Sequence, residues 1–407
     1  MSVSCLRYAA WLQTLSQSQP FAAEMLGRSP EEQRRLGYFD TLREICQQPS
    51  TWMGTAELML QSAPALSTLL HGVCSLSFSG SGSSDYAGDC VRRPLQLELG
   101  INTQAIPGGT LLTDGNRAVP VGRPGLMVSL ARSGDSPESV GALALMLKIE
   151  PEIRHLVLTC NQRGSLATTF RGDSRVTAIT LDERTNDKSL VMTSSFTNLV
   201  LAARFLGLLE QPPRYRSICQ ELSRIASDVI HQYFGVLAAV AKAPFRRVLF
   251  LAGGSRFAGA REAALKMLEM TAGRVTTLCE TYLGLRHGPM SYVQDDTLVV
   301  CFLSSDPTVR SYEFDLLREL DQKQLGLQKV IVGEDIPTEL VRNNDVALEC
   351  LGLNRVGDEN GPVIDVIVGQ LLAFFRCLEV GLLPDSPSKD GVINRVVKPF
   401  AVHLRDG

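Results

Sequence analysis

Four features carry residue types and spacings that could do chemistry. The first is Ser79-Gly80-Ser81-Gly82-Ser83-Ser84, set between an apolar run and a helical pattern. Glycines there let the backbone approach an anion, and the N–H groups that open a helix point at it. Ser83 and Ser84 add hydroxyl donors. The dinucleotide fingerprint GxGxxG is not met, because Asp85 stands where the third glycine belongs, and no Walker lysine follows. The competing reading is a tight turn with a serine N-cap. The second feature, Ala131-Arg132-Ser133-Gly134-Asp135-Ser136-Pro137-Glu138-Ser139, again offers glycine and hydroxyls, now with an arginine able to fork onto a phosphate. Ser136-Pro137 also reads as a helix start, and both roles can coexist. The third is the helical stretch Ala258–Met270, where Glu262, Lys266 and Glu269 share one face. By pattern alone that face reads as solvated charge. The chemical alternative is a carboxylate that takes a proton at one carbon and returns it at the next. The last is His287, one of five histidines, between Arg286 and Gly288-Pro289. It is either a loop residue with one structural hydrogen bond or an acid–base group.

The elements that must position these residues follow from the apolar pattern. Val73–Phe78, Leu126–Leu130, Leu156–Thr159 and Leu190–Met192 read as buried strands, as do Arg246–Leu251, Leu298–Leu303 and Val330–Val332 further on. Helical stretches between them imply parallel sheets with helices on both faces. Loops after adjacent parallel strands lie side by side at the carboxyl edge, where ligands bind. Two serine-rich loops there suit one small anion better than a nucleotide. The chain also resembles itself. Gly82, Ser84, Ala87 and Gly88 recur 171 residues later as Gly253, Ser255, Ala258 and Gly259, with Tyr86 matched by Phe257. The expected organisation is a helical arm (1–49), two related α/β domains (50–210 and 214–384) and a tail (385–407). Asp306 stands near where the first domain has Gly134, so no second phosphate site is expected.

Composition removes several function classes. Of 407 residues 44% are hydrophobic and 20% charged, enough for large cores and against wholesale disorder. A net charge of −3 gives no basic footprint for nucleic acid. No apolar stretch approaches the ~20 residues of a membrane helix, and the start lacks the pattern of a secretory signal. Ten cysteines, scattered without metal-ligand spacing, are expected to be reduced and mostly buried in a cytoplasmic, metal-free protein.

Together these loops resemble the sugar isomerase (SIS) family, and within it the AgaS-type galactosamine-6-phosphate deaminase/isomerases, also known as tagatose-6-phosphate ketose/aldose isomerases. The similarity covers nearly the whole chain. It rests on Arg43–Pro49, Ala131–Ser139, Met192-Thr-Ser-Ser-Phe-Thr197, Cys279-Glu-Thr-Tyr-Leu-Gly-Leu-Arg-His-Gly-Pro289, Ser304–Pro307 and Gly391-Val-Ile-Asn-Arg-Val-Val397. It implies two tandem SIS domains and a phosphorylated amino sugar as substrate, with no metal, nucleotide or other cofactor. Ser84, Ser133 and Ser136 match the family's phosphate-contacting hydroxyls, with Ser83 and Arg132 beside them. Thr193 and Ser194 fall in the sugar-lining loop. Glu269 matches the carboxylate that moves a proton between C1 and C2, and His287 the histidine of ring opening. In the related synthase that histidine reaches the neighbouring subunit's site, so a homodimer or higher homo-oligomer with shared sites is implied. A lysine near the C-terminus joins the synthase site; Lys389, Lys398 and His403 are the polar candidates here. Three functions follow: a deaminase, a ketose/aldose isomerase, or a sugar-phosphate-binding regulator.

Overall fold

The computed structural model describes residues 13–15, 17, 19–388 and 390–403. Lys389 lies outside them. Helices α1 (Pro20–Gly27), α2 (Pro30–Arg35), α3 (Phe39–Cys46), α4 (Gln48–Gln61) and α5 (Ala63–Leu70) precede the first sheet. Two compact units follow from the packing. One holds residues 51–188, 192–219 and the tail from Gly391; the other holds the segment ending at Ser50, residues 189–191 and residues 220–390.

The first unit is built on β1 (Ser75–Gly80), β2 (Asn102–Pro107), β3 (Gly125–Ala131), β4 (Ile153–Thr159) and β5 (Val176–Thr180), all parallel in the order β2-β1-β3-β4-β5. The chain steps one way from β1 to β2, then back past β1 to β3. Right-handed crossovers therefore put helix α6 (Ser83–Leu99) on one face, and α7 (Gly108–Asp114) and α8 (Pro137–Ile149) on the other. Helix α10 (Ser194–Arg204) packs on α6, while α7 packs on α8; a single turn, α9 (Ser165–Thr168), lies against β4 and β5. Gly88 lets α6 sit on β1, since a Cβ there would lie 2.7 Å from the Phe78 Cβ. Helix α4 supports α10 through Thr51 and Thr55, which hydrogen-bond the Asn198 amide at 2.8 and 2.7 Å.

The second unit repeats the order. Strands β6 (Arg247–Leu251), β7 (Thr276–Glu280), β8 (Thr297–Phe302), β9 (Gln328–Gly333) and β10 (Val346–Glu349) form the parallel sheet β10-β9-β8-β6-β7. Its helices are α11 (Pro212–Ala241, entering this unit at Gln220), α12 (Phe257–Met270), α13 (Tyr282–Leu285), α14 (Pro307–Gln322), α15 (Leu353–Val356) and α16 (Pro362–Glu379). Helix α12 packs on α16 and α13 on α14. The Phe21 ring meets Phe234 and Phe375, fastening α1 to α11 and α16.

Six of the seven apolar runs expected as strands are strands, but Leu190–Met192 is not. Val191 and Met192 are buried outside any strand, and the half-buried Leu190 donates its N–H to the Asp385 carbonyl at 3.1 Å. Four strands carry no apolar run: β2, β5, β7 and β10. They are half-buried and partly polar, because they lie outermost in their sheets and need only one apolar side. Of nine described cysteines seven are buried and none is disulfide-bonded. No helix among the described residues is long and apolar enough to cross a membrane.

Candidate active site

In the first unit the sheet order reverses at β1/β3, and both serine loops leave the carboxyl ends of those two strands. This is the crevice where open α/β sheets bind ligands. Gly82 turns the chain with φ +57°, so that α6 begins at once with Ser83 and Ser84, both buried. Gly80 makes the turn possible, since a Cβ there would strike the Ser84 backbone at 2.5 Å. Ser84 Oγ has only a weak contact, 3.7 Å to Met192 Sδ. Ser81 Oγ is buried and without a hydrogen-bond partner. Sequence reasoning passed over Ser81, although it stands inside the quoted loop.

Across the crevice, Ser133 Oγ accepts the Asp135 N–H at 3.2 Å, and Gly134 takes φ +71°. Asp135 accepts from Ser165 N–H and Oγ, both at 2.8 Å, which ties this loop to α9. Ser136 sits at the N-cap of α8, but its hydroxyl does not cap the helix, so the expected cap is backbone geometry alone. Arg132 is buried and donates from Nη2 to the Arg395 carbonyl at 2.5 Å.

Thr193 and Ser194 are also buried. The amides that open α10 are spent on a residue the sequence reading missed. Asp187 accepts from the N–H groups of Thr193, Ser194 and Ser195 at 2.7, 3.1 and 2.9 Å, and from Ser195 Oγ. Burial pushes the Asp187 carboxyl up, against the opposing pull of Ser195 and Arg132. Its spacing of six to eight residues from the amides it caps explains the miss, because ordinary cap motifs reach two or three.

The second unit holds Glu269 and His287. Glu262 and Lys266 on α12 are fully buried, so the solvated-face reading of this helix is wrong. Lys266 Nζ lies 3.2 Å from Glu262 Oε1 and 2.5 Å from Glu269 Oε2. Burial alone would lower the Lys266 pKa, but the two carboxylates outweigh it and hold it above its ordinary value. Glu269 keeps 24% of its side chain exposed, the open end of the triad. His287 is exposed on the connection from β7 to β8, and Arg286 Nε pairs with Glu319 of α14 at 2.9 Å. Because β7 lies outside β6 and β8 on its other side, the β6–β7 and β7–β8 connections run on opposite faces. The sheet therefore separates Glu269, beside α16, from His287, beside α14.

The corresponding crevice of this unit, between β6 and β8, is filled. Arg256 crosses it, donating from Nε to Asp365 at 2.9 Å, from Nη2 to Asp365 and from Nη1 to the Leu303 carbonyl. Asp358 accepts from Ser304 Oγ and the Ser305 N–H, and Asp306 caps α14. Glu313 accepts the Ser304 N–H at 2.8 Å, and burial raises its carboxyl to about 7.

Lys398 and His403 lie on the exposed tail.

Two five-stranded sheets of one order, with glycine–serine loops at one switch point, define a protein of the sugar isomerase (SIS) fold. Solved structures of that architecture align over most of the chain. A candidate tagatose-6-phosphate ketose/aldose isomerase from Clostridium novyi aligns over 94% of this chain and 99% of its own, with a TM-score of 0.87 and 30% identity. The tagatose-6-phosphate ketose/aldose isomerase of Escherichia coli aligns over 90% and 97%, with a TM-score of 0.81 and 27% identity. The D-galactosamine-6-phosphate deaminase AgaS of Shewanella sp. is 33% identical over 382 residues, 92% of this chain and 94% of its own. No protein-family model matches the chain. The chain belongs to the AgaS family.

Proposed function

We propose that this protein deaminates D-galactosamine 6-phosphate to tagatose 6-phosphate and ammonia. The observation that carries the reading is the pairing of AgaS relatives along the whole chain with a hydroxyl-lined crevice at the first switch point. Ser84 and Ser133, with Ser81, Ser83 and Ser136 around them, would hold the phosphate, a remote handle that positions the reacting carbons. Arg132 borders this cradle, and Thr193 and Ser194 line the sugar. His287 opens the ring and exposes the C1 aldehyde. Glu269 takes the proton from C2 and returns it to C1, while an amine proton passes to O1, so C1 becomes an alcohol and C2 an imine. Water adds at C2, ammonia leaves, and the ketose phosphate remains.

Glu269 and His287 lie on opposite faces of one sheet, which supports a homodimer whose sites each take His287 from the neighbouring copy. The shared strand order of the two sheets supports a duplicated domain. Free, buried cysteines suit a reducing, cytoplasmic setting.

A second reading, ketose/aldose isomerisation of tagatose 6-phosphate, draws on the names of the solved relatives and uses the same proton transfer. Ammonia release separates them. Stoichiometric ammonia from galactosamine 6-phosphate is expected; its absence, with ketose–aldose exchange intact, would establish the isomerase instead. Binding without any turnover would leave the regulator.

A further inference from the structure

The tail between Gly391 and His403 is almost wholly exposed. Within residues 391–403 only Arg395, Val396 and Val402 are even half-buried. Arg395 makes a dense set of bonds. Its Nε donates to the Asp187 carbonyl at 2.7 Å and its Nη2 to the Asn186 side chain at 2.6 Å. Its own carbonyl accepts from Arg132 at 2.5 Å. Further along, Phe400–His403 border a cavity of about 770 Å³ whose other wall includes Leu112, Thr113 and Glu138.

These contacts join two loops that are distant in sequence. Arg132 directly follows β3 and precedes Ser133, while Asp187 caps the turn that presents Thr193 and Ser194. Neither loop makes a strand or helix with the other; Arg395 bonds to both. We propose that Arg395 is a positioning residue for the sugar-phosphate crevice, a clasp by which the C-terminal tail fixes the post-β3 loop and the Asp187 turn in one arrangement. Arg132, whose charge also acts on the Asp187 carboxyl, is tied to the tail through its bond to the Arg395 carbonyl. Arg395 touches no reacting atom, so its loss loosens substrate binding and leaves the proton transfer intact.

The proposal rests on the sugar-phosphate reading, and the test separates the two. In Arg395→Ala, the KM for galactosamine 6-phosphate should rise at least tenfold with kcat within about twofold. Added guanidinium should recover part of the loss. Arg395→Lys, which can keep one of the two donated bonds, should fall between the two proteins. Limited proteolysis should cut the Ala variant within 391–403 faster than wild type. A wild-type KM in the Ala variant, or a kcat that collapses while KM holds, would overturn the clasp. If wild type turns over no sugar phosphate, the proposed function fails on its own. Inorganic phosphate then serves as probe: weaker phosphate binding in the Ala variant supports the clasp, and equal or absent binding in both proteins removes it. Should Arg395→Ala fail to fold, the Lys variant decides by the same KM criterion.

Discussion

Replacing Glu269 by Gln tests the chemistry most directly, because α12 supplies its own control. The substitution removes the carboxylate base while keeping an amide oxygen that can accept from Lys266. Lys266 stays charged and paired with Glu262 at 3.2 Å, so no buried ion is orphaned. With Glu269 partly exposed, the lost pairing costs about 1 kcal/mol at most. The rate effect is far larger. A positioned acid–base group is worth about 10²–10⁴-fold, so kcat should fall by that factor with KM little changed. Lys266→Met is the contrast. It removes the cation 3.2 Å from the buried Glu262 carboxylate, and breaking such a pair costs about 3–5 kcal/mol. The informative assay is ammonia release together with solvent-deuterium incorporation at C1 of the ketose product. Glu269→Gln should lose both while unfolding in urea near the wild-type midpoint. Turnover within threefold of wild type would refute the assignment of the base. So would a Glu269→Gln protein that loses activity only by unfolding as readily as Lys266→Met.

Three further outcomes follow from the geometry. Ser84→Ala with Ser133→Ala removes two hydroxyls that a phosphate would accept from; at about 1.5–3 kcal/mol each for bonds to a charged group, affinity should drop at least a hundredfold by titration calorimetry. Affinity unchanged in that double variant would place the phosphate elsewhere. Mixing Glu269→Gln with His287→Ala, each inactive alone, should restore part of the activity through hybrid dimers that carry one intact site; no recovery after verified subunit exchange would count against sites shared between copies. For Glu313, the folded carboxyl is raised to about 7 against an ordinary 4.5, so it favours the fold below pH 4.5 and loses that contribution as pH rises through 7. Glu313→Gln should therefore be more stable than wild type at pH 8 by about 3 kcal/mol, with the slope between pH 4.5 and 7 flattened; an unchanged pH dependence in urea melts would refute it.

Local pattern revealed what local physics decides. Central strands such as β3 and β8 are buried on both faces and read as unbroken apolar runs. The glycine–serine loops declared themselves because a strand-to-helix turn needs Gly82 at positive φ. Outermost strands such as Thr276–Glu280 did not, since one side faces away from the core and their residues mix. Leu190–Met192 misled for the opposite reason: burial selected its apolar residues, but no strand lies beside it. The charged face of α12 was misread because i, i+4 spacing is the same whether Lys266 is solvated or buried. Asp187 and Arg395 lay beyond reach, as their roles depend on loops joined only in the folded chain.

The two sheets have one strand order and opposite uses of it. At the first switch point the loops present the hydroxyls of Ser81, Ser84 and Ser133, and Arg132 adds positive charge nearby. At the second, the helix-opening residue is Arg256, and its guanidinium occupies the crevice. Burial works against that charge, but Asp365, Asp358 and Glu313 outweigh it and hold the pKa above the ordinary arginine value. A phosphate entering there would displace a buried ion pair and meet those carboxylates. At an effective dielectric of 20, each like charge at 4 Å costs about 4 kcal/mol. By the 171-residue offset both copies keep the serine (Ser84, Ser255), and Arg256 stands opposite Asp85, so the difference between the two edges lies in the buried Arg256–Asp365 pair. The expectation of a single phosphate site rested on Asp306, yet Asp306 merely caps α14. The stronger physical reason is the Arg256–Asp365 lock, which closes the second crevice from within.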